Sequence, residues 1–156
     1  MLLGALIDLG ADPDKVAEEI DRCTRDFGKV KMKVSKVQRA SILCTKVDFE
    51  FEEKGHVDMD ECLEKASNPW VRDKALKVLH TLEEAEAKVH GSHGHHPHLH
   101  EVGRLDAVAD ILGSLTAWRD LGLDEVRAVS TRVALGGGEV SFSPVSYTHL
   151  TLPTKA

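Results

Sequence analysis

The stretch His90-Gly91-Ser92-His93-Gly94-His95-His96-Pro97-His98-Leu99-His100 holds six of the chain's nine histidines, where even scatter over 156 positions would place about 0.6 in such a window. Neutral imidazole is a borderline ligand that suits nickel, zinc and copper, and selection among these comes from geometry and supply. Two glycines and a proline exclude regular helix, so the segment must be a loop or a partly extended stretch. In an extended chain His96, His98 and His100 point to one side, which lets three imidazoles converge without long-range folding. The plain alternative is a solvated low-complexity loop. It would prevail for one histidine, whereas six at this density favour metal binding. His56 and His80 stand alone and read as surface or satisfied core residues.

Carboxylates follow at once. Glu101 adjoins the histidines, and Asp106 and Asp110 lie four apart on the next predicted helix, so they share a face at the cost of a few tenths of a kcal/mol of repulsion. That face continues through Gly113 and Ala117, small residues that leave room for a ligand or for a close-packed partner. A solvent-facing helix surface accounts for the aspartates equally well. With Glu101 they could complete an oxygen-rich side to an imidazole site or orient its histidines.

Two helices must hold this loop. Asn68-Pro69 reads as N-cap plus first helical position of a long helix to about Val89, with Val71, Ala75, Leu79, Leu82 and Val89 as its apolar stripe and Gly91 as its cap. A second helix, from about Arg104 to Arg119, buries Leu105, Val108, Leu112 and Leu115 and ends before Gly122. Upstream, Leu2, Leu3, Leu6, Ile7 and Leu9 recur at helical spacing before Gly10. Asp12-Pro13 opens a helix to about Cys23 with Val16, Ala17 and Ile20 on one face. Residues 29–34 alternate Lys29, Lys31, Lys33 with Val30, Met32, Val34, and residues 47–52 alternate Val47, Phe49, Phe51 with Asp48, Glu50, Glu52. These are two half-buried strands that pair antiparallel, with lysines opposite acids; the lysine row is structural and not a basic binding patch. Further strands are expected at about 125–134 and 139–143, joined by a turn at Gly136-Gly137-Gly138. The fold class is α+β: antiparallel hairpins packed with several helices, and one histidine-rich loop between two of the helices.

Composition bounds the rest. Twenty Lys and Arg against 26 Asp and Glu leave a net charge of −6, which argues against broad phosphate-backbone affinity and hence against nucleic acid as a partner. The opening apolar run is cut by Asp8, far short of the roughly 20 residues of a membrane helix, and no secretory signal is evident. A cytoplasmic location is expected. Cys23, Cys44 and Cys62 lack metal-type spacing and suit reduced core thiols.

Three blocks carry a family resemblance. They are Ala85-Glu86-Ala87-Lys88-Val89-His90-Gly91, then His98-Leu99-His100-Glu101-Val102-Gly103, then Asp106, Asp110 and Ile111, preceded by the opening Met1 to Gly10. In order and separation they resemble the LarC family of nickel insertion proteins over residues 1–143. The resemblance implies a CTP-dependent cyclometallase of the lyase type, which inserts Ni²⁺ into pyridinium-3,5-bisthiocarboxylic acid mononucleotide to form the nickel-pincer nucleotide cofactor. It carries His98, His100, Glu101, Asp106 and Asp110 onto the family motif, and His93, His95 and His96 onto its histidine-rich character. Metal ligands are thus expected among His93, His95, His96, His98, His100 and Glu101, with Glu101, Asp106 and Asp110 as candidates for catalytic roles. CTP with Mg²⁺ or Mn²⁺ belongs to the full-length family, at a site outside this stretch, and a homo-oligomer is compatible with it. The family's initial strand and Gly-rich turn do not precede Met1, while residues 144–156 resemble a translated sequencing-adapter tail. The expectation is therefore a domain at 1–143, a disordered or artefactual tail at 144–156, and a fragment with incomplete activity. The competing function is a non-catalytic store or carrier of nickel or zinc, with several weak independent sites.

Overall fold

The computed structural model describes residues 2–39, 41–90, 104–127, 129, 140–141 and 146–147. They divide into two units, Met1–Glu125 and Val126–Ala156. The first opens with helix α1 (Leu2–Asp8), which Gly10 stops at φ +113°, a left-handed value that glycine adopts without strain. Helix α2 (Pro13–Thr24) begins as the Asp-Pro signal requires: the Asp12 carboxylate accepts from the amides of Asp14 and Lys15, which the helix cannot satisfy by itself.

Strands β1 (Gly28–Arg39) and β2 (Ile42–Glu53) then form one antiparallel hairpin. Its register sets Val30 opposite Phe51, Met32 opposite Phe49 and Val34 opposite Val47, so the apolar rows share a face. The lysines face acids as expected, although the contact that forms is diagonal, Lys33 to Glu50, while Asp48 pairs with Lys46 of its own strand at 2.7 Å. At 12 residues each, the strands extend about 40 Å. Their base packs on the core through Val30, Met32, Val47 and Phe49, and beyond it Ile42 and Leu43 are both 69% exposed.

Helix α3 (Met59–Glu64) is an element that hydrophobic periodicity does not announce. Helix α4 (Pro69–His90) starts on Asn68, whose side chain accepts from Trp70 and Val71 amides at 2.9 and 3.3 Å. Of its expected stripe, Val71, Ala75 and Leu79 are buried, whereas Leu82 is 45% exposed, because α4 runs on past the elements that cover its first half. Helix α5 (Arg104–Asp120) touches α1 to α4 and both strands. That central place explains why Leu105, Val108, Ala109, Ile111, Leu112 and Ala117 bury most of its circumference.

Beyond α5 the strand expected at 125–134 is corrected in its described part. Leu123–Glu125 is a 3-10 turn, and Val126, Arg127 and Val129 are not in a strand. The Trp118 indole N–H donates to the Leu123 carbonyl at 2.7 Å and Arg119 pairs with Asp124 at 3.2 Å, which folds this segment back along α5. In the second unit, β3 (Val140–Ser141), within the expected 139–143 strand, pairs antiparallel with β4 (Ser146–Tyr147) downstream. The triple glycine, Gly91 and most of the 144–156 tail lie outside the described residues.

Candidate functional site

Helix α5 fixes the only part of the expected site that falls within the described residues. Asp106 and Asp110 are exposed on its first turns, on the side away from Leu105, Val108 and Leu112. Their shared face changes character along the helix. Three residues beyond Asp110, Gly113 is buried, and a Cβ built there would lie 2.9 Å from Leu3 Cδ2, 3.2 Å from Ile20 Cδ1 and 3.5 Å from Val16 Cγ1. Of the two roles open to the small residues, close packing is therefore the one observed: Gly113 admits α1 and α2, and Ala117 is buried as well. No room for a ligand remains at that level. Any ligand of this face must bind at the level of the aspartates.

Asp110 is set apart from the other described carboxylates by the direction of its shift. Among the described side chains neither Asp106 nor Asp110 has a hydrogen-bond or ion-pair partner. Desolvation by the surrounding protein, reinforced by the charge of Asp106 and only partly offset by the positive amino terminus, pushes the Asp110 carboxyl above its ordinary value. An acid held in this condition is relieved by a cation, since a positive charge would offset both causes.

Several other carboxylates within the described residues are committed to the fold. Asp8, at the end of α1, accepts from Lys36 and from Thr45 on the hairpin, and Lys36 chiefly holds its carboxyl low. Asp120 accepts from the Asp12 amide at 2.9 Å and from Lys15 Nζ at 2.7 Å, tying the end of α5 to the start of α2. Glu19 accepts from Arg22 at 2.6 Å and from the Ser67 amide and hydroxyl at 2.8 and 2.9 Å. Burial alone would raise its carboxyl, and these donors outweigh burial and lower it. Cys23 and Cys62 are fully buried and desolvation pushes their thiols up to about 11 and about 12, so they are inert core groups, while Cys44 is only partly covered. His80 is exposed, with Nε2 3.7 Å from Asp60.

His93, His95, His96, His98, His100 and Glu101 lie outside the described residues, between the end of α4 at His90 and the start of α5 at Arg104. Among the described residues no group of three or more His, Cys, Asp or Glu could hold a metal ion, and no helix is long and apolar enough to cross a membrane.

Known proteins resemble this chain along most of its length. The family described as nickel insertion protein matches residues 1–154. A protein of Methanothermobacter thermautotrophicus, described provisionally as a nickel insertion protein, is 41% identical over 147 residues, covering 90% of this chain and 36% of that protein. The pyridinium-3,5-bisthiocarboxylic acid mononucleotide nickel insertion protein of Thermotoga petrophila is 35% identical over 140 residues, covering 81% of this chain and 34% of its own. The protein of the same name from Staphylococcus saprophyticus is 32% identical over 148 residues, covering 92% and 37%. The chain thus spans a little over a third of the length of these curated relatives. No solved structure matches it.

Proposed function

Since this chain belongs to the nickel insertion protein family, we propose that it forms the metal-receiving part of a cyclometallase that inserts Ni²⁺ into pyridinium-3,5-bisthiocarboxylic acid mononucleotide. The family match along residues 1–154 carries this reading, and Asp106 and Asp110, which pair with no other described side chain and follow soon after the histidine segment, support it. In this reading His93, His95, His96, His98, His100 and Glu101 hold the incoming Ni²⁺ as cargo. Imidazole nitrogen is soft enough to bind nickel and labile enough to yield it to the thiocarboxylate sulfurs and ring carbon of the substrate. Asp106 and Asp110 stand on the rigid side of the site, because Gly113 locks their helix against α1 and α2. Their negative charge steers a cation towards the loop and helps to keep ligating imidazoles oriented. CTP with Mg²⁺ or Mn²⁺ is assigned to the remaining two thirds of a full-length protein, and the reaction to the cytoplasm.

Calorimetric nickel titration at pH 7.5 and pH 5.5 tests the loop. With an imidazole value near 6.5, the neutral fraction falls about tenfold between these pH values, so a site with two histidine ligands weakens about a hundredfold. Changing His95, His96, His98 and His100 together to alanine should abolish that binding; undiminished binding would overturn the assignment. In a full-length relative, Asp106→Asn with Asp110→Asn at the matching positions should lower cofactor formation. Several weak independent nickel sites, with cofactor formation untouched by all six substitutions, would favour the storage or delivery function instead.

A further inference from the structure

We draw no further inference here: the strongest candidate, the apolar free end of the β1–β2 hairpin around Val34, Ile42 and Leu43, is an unpartnered sheet surface, and nothing in the structure shows what covers it.

Discussion

Replacing Gly4 with alanine probes how α1 is seated. A Cβ at this position would lie 2.5 Å from the backbone carbonyl oxygen of Thr45 on β2, a separation that side-chain carbons do not tolerate. The opposing atom belongs to a strand paired along its length, so it has no rotamer to change. Reaching an ordinary 3.4 Å contact requires α1 to retreat by about 0.9 Å, drawing the fully packed Leu3 and Leu6 out of register with the core. Overpacking of this kind costs about 1–3 kcal/mol, and the helix preference of alanine over glycine returns at most about 1. A backbone obstacle puts the cost at the upper end, for a net loss of about 2 kcal/mol. In a unit of this size that lowers Tm by about 6–10 °C. Urea unfolding followed by circular dichroism should show a reduced midpoint with an unchanged slope. Gly113→Ala is the internal comparison, because its new methyl would meet the mobile ends of Leu3, Ile20 and Val16, and its loss should be the smaller of the two. The two substitutions share Leu3 and should not be additive. A Gly4→Ala protein as stable as the parent would refute the packing argument.

Three other outcomes follow from the charges and thiols. Glu19→Gln should destabilise by about 1–3 kcal/mol at neutral pH, since Arg22 and Ser67 lose a buried acceptor. The lowered Glu19 value means this stability is present above the unfolded carboxylate value and disappears as pH falls through the folded one, so parent and variant curves should converge in acid. Asp110→Asn should act in the opposite sense: a raised carboxyl gives stability below its unfolded value that is lost as pH rises through the folded value, so the variant should exceed the parent at neutral pH and match it at low pH. In thiol titration with an aromatic disulfide at pH 8, Cys44 should react first and Cys23 and Cys62 only after denaturant; rapid modification of all three would contradict the buried placement.

What the sequence made legible was local. Asp12-Pro13 and Asn68-Pro69 name their helix starts because a cap needs only its own first turn, and the hairpin register follows from a period of two on both strands. The strand ends were illegible because the turn after Arg39 contains no glycine or asparagine; Ser41 takes φ +66° there instead. Helix α3 is too short for periodicity, yet Asp58 and Glu61 form the three-residue spacing of a capping box, and Asp58 does accept from the Glu61 amide at 3.0 Å. Asp106 and Asp110 could be placed on one face from spacing alone. The burial of Gly113 could not, since it depends on Leu3, 110 positions away in the chain.

That last separation also governs how the protein is made. Leu3, Leu6, Val16 and Ile20 leave the ribosome well before the helix that covers them, which begins at Arg104. At about 5–20 residues per second, those apolar faces wait roughly 5–20 s for their partner. During that interval α1 and α2 can pack on α3 and on the hairpin, which is complete by Glu53 and already meets α1 through Lys36, Thr45 and Asp8. The β1–β2 hairpin is therefore expected to cover the nascent chain, and loosening its grip on α1 should show itself as aggregation during synthesis before it shows as reduced stability of the finished fold.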